Sequence, residues 1–231
     1  MINTIIFDLD GTLINSIKDL AEACNHALTI LNYPIRDIGE YNQLVGNGVM
    51  KLFERCLPEG HKTPENIERM KIEFRKYYAD HLLDNTLPYE GIKELIEAFI
   101  KENEKRKSEG ASENELYKLA VATNKPNKNA HTLVNNFFPN QFDVIYGARE
   151  GIPTKPSPII INTILKDLNR EANSAVMIGD SNVDIFTGQN AGTRTIGCTW
   201  GFRGEDELKN AGAEYIAHTA MDIFNFIKQM N

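Results

Sequence analysis

Two aspartates, Asp8 and Asp10, stand at the end of a short apolar stretch near the start of the chain. The stretch covers residues 4–7, is rich in β-branched side chains and is soon stopped by Gly11, which predicts a fully buried strand. Open α/β sheets carry out their chemistry just beyond the carboxyl ends of such strands. The two carboxylates are therefore candidates for a reaction centre.

Polar side chains follow other predicted strands in the same way. Threonine, amide, lysine and carboxylate groups end or follow the apolar runs 117–121 and 175–178, and one more lysine precedes a predicted helix: Thr123, Asn124, Lys125, Asp180, Asp184 and Lys155. Each motif alone is a common turn or helix cap. Because the carboxyl ends of parallel strands meet at one edge of a sheet, their joint occurrence predicts one functional cluster.

A cluster of acids repels itself unless a cation lies nearby. Two carboxylates about 5 Å apart cost roughly 3 kcal/mol at an effective dielectric constant of about 20. Oxygen ligands without Cys or His favour Mg²⁺ over Zn²⁺. Lys155 adds a second positive charge, and Thr123 adds a hydroxyl donor. Such a set suits phosphoryl transfer, in which one aspartate attacks phosphorus to form an aspartyl-phosphate and the other moves protons.

The elements that must position these residues alternate along most of the chain. Strands are predicted over residues 117–123, 142–146, 175–179, 193–198 and 214–216, and helices over 92–100, 129–137, 158–168, 183–191 and 221–229. The polar stretch 101–110 predicts a solvated extension of the first of these helices, followed by a loop. Strands that alternate with helices indicate a parallel sheet.

Residues 16–84 differ, since their apolar side chains recur only at helical spacing. The first helix is expected over residues 16–31, with Ser16 as its N-cap and Asp19 completing a capping box. The order of elements thus predicts an α/β fold with a Rossmann-like parallel-sheet core, formed by residues 1–14 and 86–231. An all-helical domain of residues 15–85 is inserted into this core.

Composition limits the classes of function. The chain has 231 residues, a net charge of -7 and 42% hydrophobic residues, as expected of a globular protein with a large core. The negative charge argues against nucleic acid as the main partner, but not against a small phosphorylated ligand. Without a membrane-spanning run or a signal-peptide pattern, we expect a soluble cytoplasmic monomer or homodimer. Three scattered cysteines indicate reduced thiols: Cys24, Cys56 and Cys198.

Four segments resemble the signature motifs of the haloacid dehalogenase superfamily, in its phosphatase branch. They are Phe-Asp-Leu-Asp-Gly-Thr-Leu at 7–13, Thr-Asn-Lys at 123–125, Lys-Pro-Ser-Pro at 155–158 and Gly-Asp-Ser-Asn-Val-Asp at 179–184. The resemblance implies that Asp8 is the nucleophile and Asp10 the general acid/base. It also implies that Thr123, Asn124 and Lys155 bind the phosphoryl group.

The same resemblance implies a Mg²⁺ ion as cofactor. Its ligands would be Asp8, the main-chain carbonyl of Asp10, and Asp180, while Asp184 would support the metal shell through water or hydrogen bonds. Asp10 also separates this chain from true dehalogenases, which lack a second acid at that position.

The helical block 15–85 is similar to the C1-type cap of this superfamily, a lid that selects the substrate. Leu-Val-Gly-Asn-Gly at 44–48 is similar to the cap segment of phosphoglycolate phosphatases, which makes Gly46 and Asn47 candidate substrate contacts. The alternative is that the glycines only turn the chain. Lys51 or Arg55 could meet a substrate carboxylate, but surface charges more often face water.

The leading hypothesis is a Mg²⁺-dependent phosphomonoesterase that acts on a small phosphorylated metabolite, 2-phosphoglycolate by resemblance. A pyrophosphatase or a nucleotidase would share the same core. A β-phosphoglucomutase-like isomerase would return the phosphoryl group to a sugar instead of passing it to water. A signalling receiver module also combines acids, a threonine and a lysine, but it is much shorter and has no helical insert.

Overall fold

The computed structural model of the chain describes all 231 residues. In chain order the elements are β1 (Thr4–Phe7), β2 (Ile14–Asn15), α1 (Ile17–Ile30), α2 (Tyr41–Leu44), α3 (Val49–Cys56), α4 (Pro64–His81), β3 (Leu87–Pro88), α5 (Ile92–Ser108), β4 (Lys118–Pro126), α6 (Asn127–Phe137), β5 (Val144–Ala148), α7 (Ile159–Leu168), β6 (Ala175–Gly179), α8 (Asn182–Ala191), β7 (Arg194–Cys198), α9 (Glu205–Asn210), β8 (Tyr215–Ala217) and α10 (Ala220–Gln229). Short 3₁₀ turns lie at 38–40, 113–115 and 172–174.

Six strands form one parallel sheet in the order β5-β4-β1-β6-β7-β8. The helices that connect them cover both faces, as a parallel sheet requires. The predicted α/β fold with a Rossmann-like parallel sheet is therefore confirmed. No helix is both long enough and apolar enough to cross a membrane.

The register of the three central strands explains why their ends meet. Phe7 of β1 pairs with Val121 of β4 on one side and with Ile178 of β6 on the other. All three strands run in the same direction, so the residues that follow these positions emerge at the same level of the sheet. Asp8 and Asp180 thereby come to one edge.

Alternation along β1 divides the core between the two faces of the sheet. Ile5 and Phe7 belong to a large apolar cluster on one face, and Ile6 belongs to a smaller cluster on the other. Side chains of neighbouring strand residues point to opposite faces, so a strand covered on both sides is apolar throughout. All four residues of β1 are buried, which holds its carboxyl end rigidly.

Residues 15–85 leave and rejoin the core through a two-stranded antiparallel pair, in which Ile14 faces Pro88 and Asn15 faces Leu87. The sequence did not predict this pair, because two-residue strands carry no measurable periodicity. Between the two strands lie only helices and one 3₁₀ turn. Helix α4 begins at Pro64, where the Thr63 hydroxyl accepts a hydrogen bond from the Asn66 amide at 3.2 Å.

The capping box predicted at the start of α1 is wrong. Ser16 occupies the N-cap position, but its side chain makes no capping hydrogen bond and instead donates to Asp10 Oδ1 at 2.5 Å. Asp19 is buried and accepts hydrogen bonds from the main-chain amides of Asn85 and Thr86, each at 2.9 Å. Both side chains therefore have tertiary partners that outcompete the local helix cap, and Asp19 ties the start of the helical segment to its end.

The charged stretch after residue 100 forms the solvated helix extension that the sequence predicts, since α5 continues to Ser108. Its Arg106 guanidinium lies 4.2 Å from the centre of the Tyr117 ring. This contact joins the end of α5 to the start of β4, away from the carboxyl ends of the strands. It anchors the helix to the sheet.

Candidate active site

A small cavity lies where the carboxyl ends of β1 and β4 face helices α1, α3 and α4. Its water-accessible volume is about 50 Å³. The sheet side contributes charged and polar side chains, namely Asp8, Asp10, Thr123, Asn124, Lys125 and Lys155. The helical side is mainly apolar and contributes Leu20, Val45, Gly46, Val49, Leu52, Phe74 and Tyr78. The cavity therefore joins a polar floor to an apolar roof.

Three buried carboxylates form the floor's acidic cluster. Oxygens of Asp8, Asp180 and Asp184 all lie within 4.8 Å of one another. Asp8 follows β1, Asp180 follows β6, and Asp184 sits in the first turn of α8. There its Oδ2 accepts from the Ser181 amide and hydroxyl, at 3.1 and 2.7 Å, in a capping box. The sequence prediction that these acids meet agrees with this arrangement.

Lys155 neutralises part of this charge. Its Nζ lies 2.8 Å from Asp8 Oδ1 and 2.6 Å from Asp184 Oδ1, and its side chain is almost completely buried. Apart from this ion pair, the buried Asp8 Oδ1 has no hydrogen-bond partner. One lysine thus faces three carboxylates, which leaves the cluster with an excess of negative charge.

Glycines let the backbone approach the acids closely. Gly11 has φ +92°, and a Cβ atom at this residue would lie 2.6 Å from Asp180 Oδ1. A Cβ at Gly179 would lie 2.5 Å from Asp184 Oδ2. Both glycines are thus needed to make room for an acid of the cluster.

Burial raises the pKa of Asp8 to about 6, against the opposing charge of Lys155, and the charges of Asp184 and Asp10 add to the rise. Burial also raises the pKa of Asp180 well above its usual value, reinforced by the charges of Asp184 and Asp8. Both shifts have the same origin, since burial and the neighbouring carboxylates both disfavour the ionised form. A bound divalent cation would reverse both shifts.

The carboxylate of Asp10 lies outside this cluster. Lys125 Nζ donates to its Oδ1 at 2.9 Å and to its Oδ2 at 3.1 Å, while Ser16 donates to Oδ1. Lys125 also donates to the hydroxyl of Tyr78, at 2.8 Å. The two aspartates of the first motif therefore have separate partners. Only the main-chain carbonyl of Asp10, and not its side chain, remains a candidate for metal binding.

Thr123 and Asn124 both line the cavity. The Thr123 Oγ1 accepts from the Lys125 amide at 3.2 Å, which leaves its own hydroxyl proton free for a ligand. The Asn124 side chain is bonded to the main chain of Lys155 through both its nitrogen and its oxygen. Asn124 therefore positions Lys155 in addition to lining the cavity.

Among the candidates in the helical segment, only Gly46 lines this cavity. Asn47 lines a neighbouring cavity, and its Oδ1 accepts from Arg55 at 2.8 Å. Arg55 also donates to the Leu44 carbonyl at 2.9 Å, and the exposed Lys51 pairs with Glu54 at 2.7 Å. Neither of these two cations lines the cavity.

Sequence reasoning placed Lys125 in the predicted cluster without a role of its own, and it did not single out Tyr78, although the structure brings both residues into the site. Lys125 stood inside a recognised motif, and its position next to Thr123 and Asn124 was an available signal. Tyr78 was one aromatic residue among several at helical spacing, so no pattern in the sequence distinguished it. Sequence reasoning also gave no role to Phe202, whose main-chain amide donates to Asp180 Oδ2 at 2.8 Å.

A parallel sheet with clustered acids, a lysine and a threonine at its carboxyl edge fits an α/β protein of phosphoryl transfer, and comparison with known proteins identifies the family. The family model described as haloacid dehalogenase-like hydrolase matches residues 5–198. The chain belongs to this family.

Relatives narrow the class further. The chain is 35% identical over 214 residues to a phosphoglycolate phosphatase of Psychrobacter arcticus, covering 87% of this chain and 86% of the relative. It is 27% identical to the pyrophosphatase PpaX of Halalkalibacterium halodurans, covering 98% and 97%. The crystal structure of a predicted phosphoglycolate phosphatase from Haemophilus somnus 129PT superposes with a TM-score of 0.84 at 28% identity, covering 97% of each chain. The chain is an enzyme of the phosphatase type within its family.

Proposed function

We propose that this enzyme is a Mg²⁺-dependent phosphomonoesterase that hydrolyses a small phosphorylated metabolite, 2-phosphoglycolate, through an aspartyl-phosphate. The observation that carries the proposal is the buried cluster of Asp8, Asp180 and Asp184 around Lys155, with the second acid Asp10 held separately. The name of the Psychrobacter arcticus relative supports the choice of substrate.

The donor set fits a hard divalent cation. Three buried carboxylates share one lysine, and the ion pair with Lys155 is the only side-chain contact of Asp8 Oδ1. All side-chain donors in this cluster are oxygens, as Mg²⁺ prefers. Asp8, Asp180 and the Asp10 carbonyl would hold the ion, with Asp184 supporting them. When bound, it would offset the charge of the carboxylates and of the phosphoryl oxygens.

In the first half-reaction, a carboxylate oxygen of Asp8 attacks phosphorus. A bond forms between Asp8 and phosphorus as the bond between phosphorus and the ester oxygen breaks. The leaving oxygen takes a proton from Asp10 and departs as the alcohol. Lys155 and the Thr123 hydroxyl bind the phosphoryl oxygens during the transfer.

In the second half-reaction, water attacks phosphorus of the aspartyl-phosphate. Asp10, now a carboxylate, accepts the proton of this water as the new bond forms. The bond between phosphorus and Asp8 breaks, which releases inorganic phosphate and regenerates the Asp8 carboxylate. Two acids are required because the nucleophile is covalently occupied when the second proton transfer takes place.

We further propose that residues 15–85 act as a cap over a core made of residues 1–14 and 86–231. The apolar roof of the cavity comes from this segment, and the antiparallel pair of β2 and β3 provides its two connections. Since a water needs about 10–15 Å³, the cavity of about 50 Å³ holds only a few waters, which favours a compact substrate over a nucleotide. Gly46 is the cap residue we expect nearest the substrate.

The test is release of inorganic phosphate from a panel of substrates by enzyme stripped of metal and then supplied with Mg²⁺. The panel contains 2-phosphoglycolate, pyrophosphate, nucleoside monophosphates and β-glucose 1-phosphate. We expect 2-phosphoglycolate to have the highest kcat/KM and chelation to abolish turnover. If 2-phosphoglycolate ranks near the bottom, the choice of substrate is wrong. Activity that is indifferent to chelation would contradict the role of the metal.

Pyrophosphate is the second candidate substrate, because the relative named pyrophosphatase PpaX covers nearly the whole chain. The panel separates the two candidates directly. The cytoplasmic location and the oligomeric state, monomer or homodimer, stay predictions. The three free, buried cysteines support a reducing compartment.

A further inference from the structure

Lys125 is a buried cation for which the proposed reaction has no use. Its side chain is 2% exposed and lies in the cavity wall beside Asp10. Taking an ammonium group out of water is unfavourable unless its donors are satisfied. Here the contacts to Asp10 Oδ1, Asp10 Oδ2 and the Tyr78 hydroxyl occupy its three N–H groups. Lys125 is therefore fully coordinated.

These contacts join three distant parts of the chain. Asp10 follows β1, Lys125 lies at the end of β4, and Tyr78 belongs to α4 of the helical segment. The Tyr78 ring stacks on Phe74 with 4.9 Å between ring centres, and this packing holds the ring and its hydroxyl in place. Burial raises the pKa of Tyr78 to about 12, and this hydroxyl therefore keeps its proton while it accepts from Lys125.

We propose that Lys125 and Tyr78 are positioning residues for Asp10: Lys125 fixes both oxygens of its carboxyl group, and Tyr78 fixes Lys125. This inference rests on the proposed function, in which Asp10 carries the proton to and from the reacting oxygens. Proton transfer requires the donor within hydrogen-bond reach of its target. A flexible Asp10 would satisfy this only part of the time, and a displacement of about 1 Å can cost a factor of about 100 in rate.

Two other roles would leave different traces. If Lys125 bound a carboxylate on the substrate, its loss would weaken binding of carboxylated substrates only. If Lys125 and Tyr78 only stabilised the fold, their loss would impair all substrates alike. Positioning of Asp10 predicts a dependence on the leaving group, because a weakly basic leaving group departs without a proton.

The experiment compares kcat/KM for 2-phosphoglycolate, ethyl phosphate and p-nitrophenyl phosphate. This parameter covers the steps up to release of the alcohol, where Asp10 acts as the acid. Tyr78→Phe removes one hydroxyl and keeps the ring. Tyr77→Phe is the matched control on the same helix, since that ring stacks on His26 and His81 and its hydroxyl has no hydrogen-bond partner. Lys125→Met removes the cation itself.

We expect Tyr78→Phe to lower kcat/KM for both alkyl phosphates about tenfold and Lys125→Met to lower it about 100-fold. For p-nitrophenyl phosphate, kcat/KM of both variants should stay within about twofold of the parent value. Tyr77→Phe should change none of the three values. Because Lys125→Met leaves Asp10 without its cation and could fail to fold, Tyr78→Phe alone decides the question in that case.

Three results would overturn the inference. They are an equal loss of kcat/KM on all three substrates, a loss confined to 2-phosphoglycolate, and no effect of Tyr78→Phe. Asp10→Asn separates this failure from failure of the proposed function. If Asp10→Asn loses alkyl phosphate hydrolysis while Tyr78→Phe does not, only the inference is wrong. If Asp10→Asn is fully active, the proposed function fails and the inference fails with it.

Discussion

Asn124 and Lys155 hold each other through two reciprocal hydrogen bonds. The Lys155 amide donates to Asn124 Oδ1 at 2.8 Å, and Asn124 Nδ2 donates to the Lys155 carbonyl at 3.2 Å. The two residues are 31 positions apart in the chain and both are buried. This pairing fixes the backbone from which the Lys155 side chain reaches Asp8 and Asp184.

Replacing Asn124 should therefore disturb Lys155. In Asn124→Ala, the amide and carbonyl of Lys155 lose buried partners, which we expect to lower the free energy of unfolding by about 1–3 kcal/mol. Activity should fall about 10–100-fold as Lys155 loses its fixed position. Denaturant unfolding and steady-state kinetics measure the two effects. Asn162→Ala, at an exposed residue of α7 without a side-chain hydrogen bond, should change neither quantity.

Replacing Asp8 should abolish activity on every substrate, whereas the effect of replacing Asp10 should depend on the substrate. Asp8→Asn removes the nucleophile, so turnover should fall below detection on every substrate. Asp10→Asn should lower kcat for 2-phosphoglycolate by about 10²–10⁴. Phosphate release measures both. The exposed Asp206 provides the matched control, and Asp206→Asn should retain full activity. Appreciable turnover by Asp8→Asn would refute the covalent mechanism.

Gly11 should be irreplaceable for a reason beyond its backbone angle. Gly11→Ala adds a Cβ atom 2.6 Å from Asp180 Oδ1, in a residue with φ +92°. Gly110→Ala is the matched control, because Gly110 has φ +87° and open space around its Cβ position. In each variant, the left-handed backbone should lower the free energy of unfolding by about 1–2 kcal/mol. Only Gly11→Ala should also lose Mg²⁺ binding, measured by calorimetry; equal binding by the two variants would contradict the steric argument.

Stabilisation of the fold by Mg²⁺ should depend on pH. The pKa of Asp8 is raised by burial from 3.8 to about 6, so its ionisation lowers the free energy of unfolding of the metal-free protein. This penalty reaches its full size above pH about 6. This penalty fades as pH falls toward 3.8. Mg²⁺ binds the ionised form, and its affinity should fall about tenfold per pH unit below about 6 for each proton displaced.

Thermal unfolding measures this dependence. At about pH 7.5, Mg²⁺ at about 100 times its Kd should stabilise the fold by about 2.7 kcal/mol, a rise in Tm of about 5–10 °C. At about pH 5 the same concentration should give a much smaller rise. Asp180→Asn should remove the rise at both values of pH. A rise in Tm that is independent of pH would show that Asp8 does not bind the ion.

Much of the fold could be predicted from the sequence because its determinants are local. The apolar runs of β1 and β6 and the helical spacing of residues 16–84 are visible in short windows. The positions of Asp8 and Asp180 followed from the general rule that parallel strands end at one edge. The two-stranded pair of β2 and β3 was missed because each strand has only two residues.

Partners of individual side chains were less predictable. Ser16 and Asp19 carry a capping-box pattern, yet Ser16 donates to Asp10 and Asp19 accepts from Asn85 and Thr86. Local signals give the options open to a polar group, and these include a helix cap. Packing decides among them, because a buried carboxylate needs several donors and a neighbouring segment supplies more than one turn of helix can.

The sequence by itself determined the sheet, the helical insertion and the set of acids, lysine and threonine available for chemistry. Only the tertiary structure decided that the Asp10 side chain turns away from the cluster of Asp8, Asp180 and Asp184 and pairs with Lys125, which also contacts Tyr78. The reason is the range of the forces involved. Periodicity and strand-end rules act over a few residues, whereas the pairing of Asp10 with a lysine 115 positions away depends on strand register and on the packing of α4 against the core.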